Sequence, residues 1–144
     1  MKAVDTNVLV YAEITISPQH LIARDLLRQL TEGPRQWAIP WPCVYEFLRV
    51  ITHPRVYHPP LSPENAMQEL KTILSSPSLL LLSETAAHVA TLEYVIQSSG
   101  AKGSLIHDAH IVALCLEHGV SELFTADRDF TRFSGLKITN PFAN

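Results

Sequence analysis

Very little in this chain supports covalent cross-linking. There are two cysteines in 144 residues, Cys43 and Cys115, far apart in sequence. They read as buried free thiols in a reducing compartment rather than as a disulfide framework. Only 17% of residues are charged, and the formal charge is −3. That excludes a basic protein that coats nucleic acid through its phosphates. It does not exclude a nucleic-acid substrate, because bound divalent cations reverse the field inside an acidic pocket. No segment approaches the roughly 20 uninterrupted apolar residues of a membrane span. The apolar run LLLL at 79–82 suits a buried strand. The N-terminus, MKAVDTNVLVYAE, lacks a signal-peptide pattern, because Asp5 and Asn7 interrupt it and no small-residue cleavage site follows. These absences predict a cytoplasmic chain without membrane association. Glycine is scarce at five residues and no repeat or low-complexity stretch occurs, so the expectation is one domain over 1–144.

Apolar residues make up 47% of the chain, enough for a real core. They fall into short runs alternating with helical periodicity. KAV (2–4), QWAIP (36–40), SLLLL (78–82), ELFT (122–125) and LKIT (136–139) read as strands, the last at an edge. TNVLVYAE follows the first strand as a helix with Thr6 or Asn7 available as N-cap. Pro18 opens the next helix, whose Leu21, Ile22, Leu26, Leu27 and Leu30 recur at helical spacing until Gly33 and Pro34 stop it. Residues 42–52 form another. HPRVYHPPLSP (53–63) is a proline-rich connection that ends in a strong helix start at Ser62, Pro63 and Glu64. Ser83 is placed to cap a helix over 84–98, and Ser104 one over 105–118. Apolar strands alternating with helices predict an α/β fold. The expected form is a three-layer α/β/α sandwich around a central parallel sheet of four to five strands.

Four acids stand beside apolar sequence: Asp5, Glu46, Asp108 and Asp127. Carboxylates are seldom buried unless paired or bound to a cation, so the four together suggest one shared site. Oxygen ligands of this kind suit Mg²⁺ or Mn²⁺. Asp5 and Asp127 follow predicted strands, where sites form in parallel sheets. Each acid also has a local reading. Asp5 can cap the following helix, and Glu46 can be an exposed helix residue. Asp108 can pair with His107, His110 or an arginine, and Asp127 or Asp129 can be a turn acid.

VDTNVLVYA, then Glu46, then HDAHIVALCLEHG, then LFTADRDF, resembles the PIN-domain ribonucleases, and among them the VapC toxins of VapBC toxin–antitoxin pairs. The likeness runs in order across nearly the whole chain. It implies a metal-dependent endoribonuclease that blocks translation, with Asp5, Glu46, Asp108 and Asp127 as metal-holding catalytic acids. Asp129 could assist or replace Asp127. Thr6, Asn7 and Thr125 resemble residues that orient the acids, although Thr6 and Asn7 are explained as well by capping. The resemblance also implies an RNA substrate, a small antitoxin partner and a homodimer. The helices at 18–32 and 42–52 are candidates for the dimer face. Arg49, Arg128 and Arg132, with Arg55 and Lys102, are candidates for RNA phosphates, or for local ion pairs. Trp37, Trp41 and Tyr45 suit core or dimer packing better than base stacking. His107 and His110 can share a helix face, but no thiolate or third histidine stands at zinc-like spacing, so zinc is not the expected metal. A PIN nuclease outside toxin–antitoxin systems, or an inactive PIN scaffold binding RNA or protein, is the alternative.

Overall fold

A computed structural model describes residues 1–144. Five strands form one parallel sheet: β1 Lys2–Val4, β2 Trp37–Pro40, β3 Leu79–Leu82, β4 Glu122–Phe124 and β5 Lys137–Thr139. Six helices flank it: α1 Thr6–Glu13, α2 His20–Glu32, α3 Trp41–Thr52, α4 Pro63–Leu74, α5 His88–Ser99 and α6 Leu105–Glu117. A short 3₁₀ turn covers Arg128–Arg132. The three-layer parallel architecture expected from the alternation is present, and LKIT does form an edge strand.

The strand order is β3-β2-β1-β4-β5. From β1 the chain steps outward to β2 and β3, then returns across the sheet to β4 on the other side of β1. Parallel crossovers are right-handed, so reversing the direction of travel moves the connecting helices to the opposite face. The packing obeys this rule: α1 lies against α2 and α3, α3 against α4, while α5 and α6 pack on each other. The reversal leaves a crevice at the carboxyl ends of β1 and β4, where neighbouring loops diverge to opposite faces. Asp5 follows β1 and Thr125 follows β4, so the crevice is lined by construction.

The core explains the strands. Ala3, Val4, Ala38, Ile39 and Leu123 are fully buried, as parallel strands covered on both faces require, whereas the LLLL run expected to be buried forms the edge strand β3 and buries only Leu82. Trp37 is buried too and donates from Nε1 to Ser76 Oγ at 3.2 Å, which settles it as a core residue. Cys43 and Cys115 are buried and unpaired, as expected.

Three helix starts differ from expectation. The N-cap of α1 is not Thr6 or Asn7 but Asp5, as the local reading of that acid allowed; its Oδ1 accepts from the Thr6 N–H at 2.7 Å. Helix α2 begins at His20, two residues after Pro18. Helix α5 begins at His88 rather than after Ser83. The cause is tertiary: Glu117 on α6 accepts from Thr85 N (3.0 Å) and Thr85 Oγ1 (2.7 Å), and His118 Nε2 bonds Ser83 O (2.7 Å). Those bonds hold 83–87 as a loop against α6. Ser62 caps α4 as read, accepting from Asn65 N at 3.1 Å, whereas Ser104 makes no side-chain cap bond. Gly100 ends α5 at φ 69, a left-handed position that glycine adopts without strain.

Candidate active site

The crevice opens into a cleft of about 620 Å³. Asp5, Glu46, Asp108 and Asp127 all line it, with Thr6, Asn7, His107 and His110. Each acid arrives on a different element: Asp5 at the β1–α1 junction, Glu46 on α3, Asp108 in the first turn of α6, Asp127 after β4.

Asp5 sits deepest, 6% exposed. Its two oxygens are fully engaged. Oδ1 takes the Thr6 N–H and lies 3.5 Å from the Cys43 thiol. Oδ2 accepts from Thr125 Oγ1 (2.8 Å) and Asn7 Nδ2 (2.8 Å). Thr125 is the hub. Its hydroxyl donates once, to Asp5, and accepts twice, from Asn7 Nδ2 and the Asp127 N–H, both at 3.0 Å. One donor and two lone pairs are all that a hydroxyl has. Asn7 Oδ1 takes the Ala126 N–H at 3.0 Å, binding the β4 loop to α1. Thr6, Asn7 and Thr125 therefore meet around Asp5, and only Cys43 was not anticipated there. Its isolated position in sequence gave no signal.

Asp108, Asp127 and Asp129 form the tightest acidic group: one carboxylate oxygen from each lies within 4.8 Å of the others. Asp127 also caps the 3₁₀ turn, accepting the Asp129 N–H at 2.8 Å, so the two acids are locked to one another. Asp127 and Asp129 thus both stand beside Asp108. No basic side chain neutralises the group as a whole; Arg132 reaches Asp129 at 3.5 Å in an exposed pair. The electrostatics record the strain. Burial, then the charges of Asp127, Asp5 and Asp129, push the Asp108 carboxyl up to about 6. Burial also raises Asp5 against the hydrogen bonds from Thr125, Thr6 and Cys43, with the Asp127 charge adding to the rise. Clustered carboxylates without a cation behave in this way.

Glu46 faces the same cleft but is held differently. Arg49, one turn on, donates Nε to Glu46 Oε2 at 2.9 Å and holds the Glu46 carboxyl below its ordinary value. Arg49 is therefore in an ion pair, not free for a phosphate. Arg128 is exposed beside Asp127. Trp41 and Tyr45 stack at 5.8 Å between centroids, with Tyr45 largely exposed.

The donor set fits a hard divalent cation. Every group in the acid cluster is a carboxylate oxygen, and the cluster carries more negative charge than its surroundings balance. A PIN-domain family model matches residues 2–136. The chain belongs to the PIN-domain family. This PIN domain is 34% identical over 139 residues to the ribonuclease VapC48 of Mycobacterium tuberculosis, with 96% of each chain covered. Among solved structures its fold is similar to VapBC2 of Rickettsia felis bound to a promoter DNA fragment, at TM-score 0.70 and 18% identity, over 96% of this chain and 97% of that one. It is also similar to VapC20 of M. tuberculosis, described as a sarcin-ricin-loop cleaving toxin, at TM-score 0.66 and 17% identity over 94% and 96%. No helix of this PIN domain is long and apolar enough to cross a membrane.

Proposed function

We propose that this chain is a Mg²⁺- or Mn²⁺-dependent endoribonuclease and the toxin of a type II toxin–antitoxin pair. The observation that carries the chemistry is the convergence of Asp5, Glu46, Asp108 and Asp127 on one cleft, with Asp129 beside them. The toxin assignment is supported by the relatives, one named a ribonuclease VapC and one solved as a VapBC assembly.

Asp108, Asp127 and Asp129 would hold the ion, with Asp5 and Glu46 adjoining. A divalent ion there supplies a lowered pKa for bound water and neutralises charge on the phosphoryl oxygens. The protein's own contribution is order. Asp5 is fixed by three side chains and one backbone N–H, so its charge does not reorganise as the reaction proceeds. In the overall step a water oxygen bonds to phosphorus, the bond to the leaving ribose oxygen breaks, and that oxygen takes a proton. No protein nucleophile is needed. Arg128 flanks the acids and is the side chain for RNA phosphates; Arg132 and Arg49 serve only if their pairings with Asp129 and Glu46 open. A cognate antitoxin would block this cleft. A homodimer through α2 and α3 is supported by Leu21 (72% exposed) and Tyr45 (66%), both apolar and uncovered.

The test is cleavage of total bacterial RNA with Mg²⁺, Mn²⁺ or EDTA, comparing the protein with Asp5→Asn and Asp108→Asn. Metal-dependent cuts lost in both variants are expected. Cleavage that persists in both places the site elsewhere. Folded, antitoxin-free protein that never cuts supports a scaffold role.

A further inference from the structure

A second group of potential ligands lies apart from the acid cluster, on the loop before α5 and on two helices. Glu84, His88 and His110 each offer one ligand atom, and the three atoms lie within 4.8 Å of one another. The imidazoles approach edge-on, with centroids 5.3 Å apart. His110 Nε2 sits 2.8 Å from Glu84 Oε1. No adjacent spacing in sequence announces the set, because His88 and His110 come from different helices.

His88 is prepared for ligation. Its Nδ1 is 2.6 Å from Glu117 Oε2, and the Glu117 side chain is wholly shielded from solvent. Glu117 is itself fixed by the N–H and hydroxyl of Thr85. Burial works to raise the Glu117 carboxyl, but the bonds from His88 and Thr85 outweigh it and leave its pKa below the ordinary value. A carboxylate oxygen accepts, so this contact is met by an Nδ1–H and points to Nε2 as the ligand atom of His88. A carboxylate that orients a histidine in this way is the usual support of a ligating imidazole.

We propose that Glu84, His88 and His110 form a transition-metal site of the Zn²⁺ class, with Glu117 orienting His88. Two imidazoles and one carboxylate match borderline cations such as Zn²⁺ and Co²⁺, in contrast to the all-oxygen acid cluster. Three protein ligands leave the fourth tetrahedral position to water. On binding, His110 Nε2 exchanges its hydrogen bond with Glu84 for shared coordination. The ion ties the 83–87 loop and the start of α5 to α6. His110 also lines the acidic cleft, so an occupied site fixes one wall of it. The inference does not depend on the nuclease reading.

The experiment is Zn²⁺ titration by calorimetry at neutral pH in excess Mg²⁺, with the visible spectrum of the Co²⁺ form as a second readout. One Zn²⁺ per chain and a tetrahedral Co²⁺ spectrum are expected. Glu84→Gln and His88→Asn each lower affinity at least tenfold, and Glu117→Gln lowers it roughly 10–100-fold. Asp5→Asn and Asp108→Asn retain it. Glu84 is exposed, so its variant reports even if a histidine variant folds poorly. Absence of Zn²⁺ binding overturns the proposal. So does binding indifferent to Glu84→Gln and His88→Asn, or binding lost in the Asp5 and Asp108 variants.

Discussion

Replacing Asp108 by Asn should strengthen the metal-free protein while destroying its response to Mg²⁺. The Asp108 carboxyl is raised from 3.8 to about 6 by burial and by Asp127, Asp5 and Asp129. Its folded pKa lies above its unfolded one, so the folded state binds the proton more tightly. This group's contribution is complete below about pH 4 and is lost as pH rises through about 6. Two pKa units correspond to about 3 kcal/mol if unscreened. Asp108 is only partly buried, and solvent screening reduces the figure to about 1 kcal/mol. The α6 N-terminus attracts the Asp108 charge, but by only about 0.3–1 kcal/mol, and the direction of the shift shows that repulsion and burial win. Asn keeps the shape and removes the charge. In EDTA at pH 8 the variant should melt about 2–4 °C above the parent, and at pH 4 the difference should vanish. With Mg²⁺ tenfold above its Kd, the parent gains about 1.4 kcal/mol from binding and the order should invert. Thermal unfolding by circular dichroism at both pH values, with and without Mg²⁺, measures all four cases. A variant less stable than the parent in EDTA at pH 8 would refute the claim that the cluster stores repulsion.

Thr125→Val should cost about 1–3 kcal/mol, a melting point lower by several degrees, because the buried hydroxyl serves Asp5, Asn7 and the Asp127 N–H together. RNA cleavage should fall with it, and an unchanged melting curve would sink the hub argument. Arg49→Ala should let the Glu46 carboxyl rise toward its ordinary value in an NMR titration, because the Arg49 hydrogen bond is what holds it down. The thiols should resist Ellman's reagent in the native protein at pH 8, then react as two per chain in guanidinium. Burial raises Cys43 well above the usual thiol range and Cys115 to about 12. Rapid native labelling would show that the core opens.

Much of the architecture was legible because its causes are local. The parallel sheet announced itself in apolar runs such as SLLLL and ELFT, and Ser62-Pro63-Glu64 started a helix where expected. The acids could be named because each interrupts apolar sequence, and their convergence on one cleft followed from a strand order that sequence only suggests. Local rules failed where tertiary bonds competed with them. Ser83 should have capped a helix, but Glu117 and His118 hold its loop on α6. Arg49 looked available to RNA and is paired with Glu46. His107 and His110 were weighed as neighbours, while the partner that His110 meets is His88. The sequence by itself determined which segments are strands and helices and which residues carry charge into apolar surroundings, since periodicity and desolvation act residue by residue. Only the tertiary structure decided which of those charges share a site, because reversing direction at β1 is what brings the ends of distant strands together.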